Sequence, residues 1–287
     1  MQFPSAADRV TAAERLLLRG GPAGRQAGRQ AGRLVVLAAA LGLWQGLSTT
    51  GVIPASLFPS MTSTVTALGR LLAGGTLWAA VGATLAAWAL GLLLGAGAAV
   101  LVGMLLGLSR FAYRSVIPVI EFFKTIPVIA ILPLALVLFG ATMTMKYVLI
   151  AFGVFWPLAV QVVYGVRSID PTVLDTATAL QVRGLRRFFV VILPSAAPYI
   201  ATGLRVSAAV ALILDVVAEL IGGGSGVGLQ ILTAENSGPT AYPVMYAYIL
   251  VAGLLGVALA GSFALAERWL LHWHETQRNT RAGAHAV

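Results

Sequence analysis

Two acidic residues lie inside one of the most apolar stretches of this sequence. Asp215 and Glu219 are four residues apart, so on a helix they project from the same face. An ionised carboxylate near the centre of a bilayer costs roughly 2.5 to 3.5 kcal/mol, so both groups must face protein or water. For Glu219 we expect a structural role, capping a glycine-rich loop or bonding across a dimer. For Asp215 a pathway contact, an internal hydrogen bond and a proton relay are all open.

A second pair of ionisable residues, Glu121 and Lys124, has a spacing of three and can form an ion pair on one helical face. It belongs either to an inner gate or to a structural ion pair. Other chemistry is absent from the sequence. There is no cysteine, the run "GGGSGVG" at 222–228 lacks the lysine of a phosphate-binding loop, and the three histidines have no acidic cluster at metal-ligand spacing. We therefore expect no catalytic residue, no metal site and no ATP hydrolysis by this chain.

The composition shows which kind of surface must carry these residues. Of 287 residues, 59% are hydrophobic and 10% are charged, with a mean hydropathy of +0.90. Average soluble domains are only about 45 to 50% apolar and about a quarter charged. This chain has too few polar side chains to form a water-exposed surface, which excludes a soluble enzyme. Its apolar content excludes a disordered protein. The net charge of +9 comes from basic residues at the ends of apolar runs, which indicates membrane topology rather than nucleic-acid binding.

Six apolar runs are long enough to cross a bilayer, which needs about 20 residues per helix. We therefore predict an all-α, polytopic membrane protein with six transmembrane helices. Prolines 118, 127 and 133 should kink the third span, and G-x-x-x-G spacings in the second, at glycines 91, 95, 103 and 107, predict close helix packing. The predicted spans are 34–53, 77–108, 116–140, 147–166, 197–221 and 243–271.

Basic residues fall mostly on alternate connections, which predicts that both termini are cytoplasmic. On this topology Arg70 and Lys146 lie on the opposite side of the membrane, and Arg205 lies within a span. The predicted domains are an Arg-rich, flexible cytoplasmic tail at 1–33, a permease-like membrane domain at 34–275 and a cytoplasmic tail at 276–287.

One cytoplasmic connection, residues 168–197, is far longer than a usual helix connection. Asp170 is suited to cap a short helix with Pro171 at its first position. An apolar stripe should follow, and basic residues come after it. An amphipathic helix of this kind, extending from 172 to 182, predicts docking of a partner protein. The stripe consists of Val173, Leu174, Ala177 and Leu180.

This connection resembles the EAA motif of permease subunits of ABC importers. Asp175, Thr176 and Ala177 match its opening, and Val191 to Pro194 match its close with the spacing intact. The glycine of the motif is replaced by Gln181, which adopts a left-handed conformation poorly. We expect a docking helix about one turn longer, a strained Gln181, or a takeover of the turn by Gly184.

The resemblance extends over about 54–273 and is nearest to nitrate, sulfonate, taurine and bicarbonate importer permeases. It rests on "LGLSR" (106–110), "IPVIAILPLALVLFG" (126–140), "GVRSIDP" (165–171), "LPSAAPYIATGLRVS" (193–207) and "VVAELIGGGSGVG" (216–228). It implies a type I ABC importer permease fold in the inner cell membrane.

The resemblance also implies partners: a separate ATPase subunit that binds ATP and Mg, a second permease copy, and a binding protein or lipoprotein that delivers the solute. No cofactor is expected on this chain. The residues expected to contact the ATPase are Asp170, Thr172, Leu174, Asp175, Ala177, Thr178, Gln181, Arg183, Gly184 and Pro194. Two alternatives are an ion-coupled secondary transporter using Asp215 and Glu219, and a membrane scaffold without transport activity.

Overall fold

The computed structural model describes residues 22–50, 53–54 and 56–271, and all regular secondary structure in these ranges is helical. The described residues form two units, one ending at Thr62 and the other beginning at Ser63. The histidines at 272, 274 and 285 and the ends of both predicted tails lie outside the described residues.

The first unit contains helix α1, Pro22–Thr49. Trp44 and Ser48 near its end hold the following turn: Trp44 Nε1 donates to the Pro59 carbonyl at 3.1 Å, and Ser48 Oγ donates to the Phe58 carbonyl at 3.1 Å. The helix begins well before the predicted first span, so the repeat at 24–33 is helical rather than flexible. Pro22 suits the first helical position, and Ala, Gln and Arg are good helix formers.

The described part of the second unit is built from ten helices, some of them joined by short 3-10 or π segments at 128–131, 188–192 and 239–241. We number the helices in chain order as α2 (Met61–Ala73), α3 (Gly75–Leu108), α4 (Arg110–Lys124), α5 (Leu132–Phe139), α6 (Met143–Arg167), α7 (Pro171–Ala179), α8 (Gly184–Arg187), α9 (Leu193–Gly222), α10 (Val227–Asn236) and α11 (Tyr242–Leu270). The first two residues of α2 precede the boundary at Ser63.

Helix α6 is the centre of this unit and packs chiefly against α3 and α9. The seam with α3 is formed by the four predicted glycines. A Cβ atom added to Gly91 would lie 2.6 Å from Ile150 Cβ, and one added to Gly103 would lie 2.7 Å from Val162 Cβ. Gly95 and Gly107 are equally close to α6. The prediction of close packing at the G-x-x-x-G spacings is confirmed.

The predicted kink in the third span is a sharp break. Helix α4 and the segment Val128–Phe139 are bent by 80°. Pro127 precedes the 3-10 turn with φ −63°, and Pro133 lies in the first turn of α5. A proline has no backbone N–H to donate and disfavours helical conformation in the residue before it, so a continuous helix cannot form here.

Among the described residues, three helical segments are long and apolar enough to cross a membrane: Gly75–Leu108, Met143–Arg167 and Pro239–Leu270. The bent pair makes four if it counts as one span. The helical membrane fold is confirmed, whereas six crossings stays a prediction. The other two predicted spans lie on α1, which carries arginines in its first half, and on α9, whose 30 residues include three charged side chains.

Candidate functional site at the two ends of α6

A lysine occupies the first turn of α6 and is completely buried. The Lys146 ammonium lies 2.5 Å from Glu219 Oε1 and 3.0 Å from Asp215 Oδ1, and it donates to the Ser225 carbonyl at 3.0 Å. All three ionisable side chains have no exposed surface. We call Lys146, Asp215 and Glu219 the charge cluster. The sequence placed Lys146 directly before the fourth predicted span, and the structure includes it in the first turn of α6, fully buried.

The Glu219 carboxylate caps the start of α10. Its Oε2 accepts from the Gly228 amide at 2.7 Å, and Thr84 Oγ1 of α3 donates to both carboxylate oxygens at 2.9 and 3.1 Å. Thr84 Oγ1 in turn accepts from the Val227 amide at 2.9 Å. Backbone amides at a helix N-terminus lack partners within the helix and favour negative charge. The geometry thus matches the structural role predicted for Glu219, capping of the glycine-rich loop.

Two glycines make this cap possible. A Cβ atom at Gly226, whose φ is +150°, would collide with the Glu219 carboxylate. One at Gly228 would lie 2.5 Å from the Val216 carbonyl oxygen and 2.6 Å from Glu219 Cβ. The run "GGGSGVG" lacks the lysine of a phosphate-binding loop. Its glycines at 226 and 228 are required because the backbone approaches the Glu219 side chain so closely.

Asp215 lies one turn before Glu219 and contacts the same lysine, but neither of its carboxylate oxygens accepts a hydrogen bond. Arg205 of the same helix pairs with Glu267 of α11 at 3.1 Å and does not compensate these carboxylates. The compensating charge is Lys146. A pathway role for Asp215 stays a prediction, because the side chain is enclosed by protein in the described conformation.

At the other end of α6, about 30 Å away along the helix axis, the chain turns into helix α7. Asp170 caps it as predicted, because its Oδ1 accepts from the Thr172 amide at 2.8 Å. This hydrogen bond, together with one from the Thr172 side chain, lowers the pKa of Asp170 from its usual value of 3.8.

Helix α7 ends through a Schellman turn at Gln181. The Val182 amide donates to the Ala177 carbonyl at 2.8 Å and the Gln181 amide to Thr178 at 3.0 Å. Gln181 has φ +58° and is the only non-glycine residue with positive φ in the described ranges. Of the three expectations for the missing glycine, the strained Gln181 is the one observed. Gly184, also at φ +58°, begins α8 instead of ending α7.

Most residues predicted to contact an ATPase are exposed. Ala177 is buried at 4% exposure, and Leu174 and Pro194 are half-buried. The predicted apolar stripe does not form one buried face, since Val173 is 44% and Leu180 71% exposed. The predicted contact residues that are exposed are Asp170, Thr172, Asp175, Thr178, Gln181, Arg183 and Gly184.

A cavity of about 380 Å³ lies between α7 and the ends of α3 and α6. Leu174 of α7 and Arg187 of α8 line one part of it. The remaining lining residues are Gly107, Leu108, Val166, Ile169 and Ile192. Helix α7 is therefore not packed tightly against the membrane helices along its whole length.

The Glu121–Lys124 pair forms as predicted, with a separation of 2.5 Å at the end of α4. Both side chains are 38% exposed. Exposed pairs of this kind contribute little stability, at most about 1 kcal/mol. The role of this ion pair in an inner gate stays a prediction.

The sequence missed Lys146 and Thr84 as members of a site. The only signal for Lys146 was its position directly before an apolar run, where a lysine is ordinarily solvated. Thr84 had none, since a threonine in an apolar helix is common. Their partners lie 73 and 135 residues away in sequence, so only the fold brings them together.

Residues 91–272 match the family described as binding-protein-dependent transport system inner membrane component, and the chain belongs to this family. It is a multi-pass membrane permease subunit of an ABC importer, and the ATPase is a separate subunit. This family membership replaces the two alternative interpretations, an ion-coupled secondary transporter and a membrane scaffold without transport activity. Permeases of this family work with ATPase and binding-protein partners.

Among its relatives, the aliphatic sulfonates transport permease protein SsuC of Bacillus subtilis (strain 168) is 31% identical over 88% of this chain and 91% of its own. The taurine transport system permease protein TauC of Escherichia coli (strain K12) is 32% identical over 69% and 72%. The fold is similar to that of the MetNI methionine ABC transporter in an inward-facing conformation, with TM-score 0.60 and 21% identity over 67% of this chain and 95% of that one.

Proposed function

We propose that this permease conducts a small sulfonate-type anion across the inner membrane, driven by an ATPase that docks on residues 168–192. We call these residues the coupling segment. The proposed substrate class is supported by the names of two relatives, aliphatic sulfonates and taurine, which share a sulfonate group. A nitrate-like anion is the second candidate from the sequence resemblance.

The single observation that carries the docking proposal is the exposure of apolar side chains on the coupling segment. Leu180 is 71%, Leu185 77% and Phe189 60% exposed. Arginines 183 and 186 lie beside them, exposed and without an ion pair among the described residues. Large apolar side chains flanked by positive charge are typical of a protein interface.

The cavity behind α7 supports the idea that this helix moves. Ala177 is buried and anchors one face of α7, whereas Leu174 borders open space. A push on the exposed face therefore has room to shift α7 against α3 and α6. ATP favours one conformation only through its different affinity for the two states, and in this proposal the coupling segment transmits that difference.

The proposed orientation places the coupling segment and both termini in the cytoplasm. Its support is the excess of arginines at the N-terminal end, in the coupling segment and at the C-terminal end. The charge cluster then faces the opposite leaflet, near the side on which a binding protein releases solute. Fusion of a reporter active on one side only, placed at either terminus, tests this orientation.

We further propose that two copies of this chain pair in the membrane and that neither binds ATP, Mg or another cofactor itself. Exposed apolar side chains on α11, such as Leu254 at 62% and Val257 at 72%, must contact either lipid or another protein. The mass of the detergent-purified complex with its ATPase distinguishes one permease copy from two.

The experiment is co-purification followed by transport. Wild-type chain, Leu180→Arg and Leu185→Arg are each expressed with the ATPase subunit of the importer. We expect both variants to lose most of the ATPase and all ATP-driven uptake while remaining in the membrane. The matched control is Thr233→Arg, an exposed position on α10. Full ATPase recovery with both variants would contradict the docking surface.

Substrate class is tested in proteoliposomes that contain the permease, its ATPase and its binding protein. We expect uptake of labelled taurine or an alkanesulfonate, with competition by other sulfonates. Uptake of nitrate without competition by sulfonates would overturn the substrate proposal and leave the docking proposal intact.

A further inference from the structure

The charge cluster contains two carboxyl groups and one ammonium group, all without solvent exposure. If both carboxyls were ionised, the cluster would hold one uncompensated negative charge inside the protein. An isolated buried charge is far more costly than a buried neutral polar group, so proteins neutralise it with a partner or a proton. A count of the surrounding charges shows whether a partner exists.

No other cation of the described residues is available to the cluster. Helix α3 has no ionisable residue, and neither has α5. On α6 the second cation, Arg167, is exposed and lies over the Tyr113 ring, 4.0 Å from its centroid. Arg205 of α9 pairs with Glu267 of α11. The remaining acidic residue of the packed helices, Glu235 of α10, is exposed, and Tyr248 of α11 is buried but supplies no cation.

The two carboxyls of the cluster differ in their hydrogen bonds. Glu219 receives donors from Thr84, Lys146 and the Gly228 amide, and such donors stabilise a carboxylate. Asp215 receives no hydrogen bond at either oxygen, although both are buried. Lys146 directs its hydrogen bonds to Glu219 and to the Ser225 carbonyl. The two carboxyls therefore have opposite environments four residues apart on one helix.

We propose that Asp215 is a proton-binding site. One proton from water binds to an Asp215 Oδ atom, which converts the carboxylate into a neutral carboxylic acid beside the Lys146–Glu219 ion pair. Release of that proton leaves two carboxylates competing for one ammonium group. Lys146 then shifts toward Asp215 and weakens its bond to Ser225, so the loop between α9 and α10 loosens when the proton leaves.

This site goes beyond ATP-driven import and does not depend on the docking surface. It makes the order of residues 223–228 depend on pH, through a group that no solute has to touch. An import cycle that moves α6 relative to α9 would also change the distance from Lys146 to Asp215, and so would take up or release one proton.

Infrared spectroscopy of the purified full-length protein in lipid nanodiscs tests the proposal directly. A protonated carboxyl has its own C=O band, which shifts in D₂O. We expect this band in the wild type at neutral pH, its loss in Asp215→Asn, and its retention in Glu235→Gln, which neutralises an exposed carboxyl. A band that is absent from the wild type, or that persists in Asp215→Asn, would overturn the proposal.

Thermal unfolding supplies an independent readout. A native state that binds one proton more than the unfolded state loses stability as pH rises, by a factor of ten in the unfolding equilibrium constant per pH unit. We expect the wild-type midpoint to fall, relative to Asp215→Asn, which mimics the neutral acid, as pH rises from the ordinary aspartate range through neutral. Parallel pH profiles, or an Asp215→Asn variant that fails to fold at neutral pH, would contradict a protonated Asp215.

Discussion

The two ends of α6 use charged residues in opposite ways. At the Lys146 end, three ionisable side chains are buried and a network of hydrogen bonds ties α3, α6, α9 and α10 together. At the Arg167 end, the coupling segment leaves its charged and apolar side chains exposed around a cavity. The first end is complete within this chain, whereas the second is the surface on which we propose that another protein docks. Substitutions should therefore affect folding at one end and assembly at the other.

The largest effect is expected for Lys146→Met. It leaves Glu219 and Asp215 without their cation, and removal of one partner from a buried ion pair costs about 3–5 kcal/mol. We expect loss of most folded protein, measured by size-exclusion chromatography and thermal unfolding in detergent.

The matched control is Lys124→Met, because the chain has two lysines and this one forms an exposed pair. It should change stability by less than about 1 kcal/mol. The double variant Lys146→Met with Glu219→Gln should recover part of the loss, since the neutral amide needs no cation. Equal stability of the two single lysine variants would remove the contrast between buried and exposed charge.

Gly228→Ala should destabilise the protein by about 1–3 kcal/mol, since the added Cβ forces α9 and α10 apart. The measurement is the unfolding midpoint, together with hydrogen exchange of residues 223–236. Gly253→Ala on α11 is the control, because no atom lies within 4 Å of the added Cβ, and it should be neutral or stabilising. A normal exchange pattern in Gly228→Ala would show that the Glu219 cap tolerates displacement.

At the coupling segment the expected effects on stability are smaller. Gln181→Gly should stabilise the end of α7 by about 1 kcal/mol, because a side chain in the left-handed region carries a steric penalty. Ala179→Gly, two residues earlier at the last position of α7, should do the opposite by about 1 kcal/mol. Slower hydrogen exchange of residues 177–182 in the first variant and faster exchange in the second would agree with this.

The smallest effect is expected for Asp170→Ala, which removes the cap of α7 and frays its first turn. Asp170→Asn keeps an acceptor for the Thr172 amide and serves as control. Because the pKa of Asp170 is lowered in the folded state, the stability that its charge adds is present above the usual value of 3.8 and is lost as pH falls through the lower native value. Hydrogen exchange of residues 171–175 at neutral pH should therefore be faster in Asp170→Ala than in Asp170→Asn. Identical exchange would show that the cap does not order the segment.

The sequence predicted the parts of this fold that depend on local pattern. The glycines of α3, the proline break after α4, the Asp170 cap and the Glu121–Lys124 pair all follow from spacings of four residues or fewer and were found. The buried partner of Glu219 could not be predicted this way. Lys146 resembles an interfacial lysine in sequence, and its burial depends on a packing of α6 against α9 that no local pattern describes.

In the coupling segment, too, the local sequence pattern did not predict which side chains are buried. The strain at Gln181 followed from the resemblance to a glycine-containing motif, but the orientation of α7 did not. Ala177 is buried and Leu180 is exposed, although both belong to the predicted stripe. A nine-residue helix is too short for its apolar spacing to fix its buried face, so tertiary contacts determine the face instead.

The glycine seam between α3 and α6 constrains how the protein can change shape. Gly91, Gly95, Gly103 and Gly107 of α3 leave no room even for a methyl group against α6, so these helices cannot slide or twist against each other without collision. We therefore expect α3 and α6 to move together. A displacement at Arg167 is then carried along this packed pair toward Lys146, and the proline break at 125–127 is the expected place for bending.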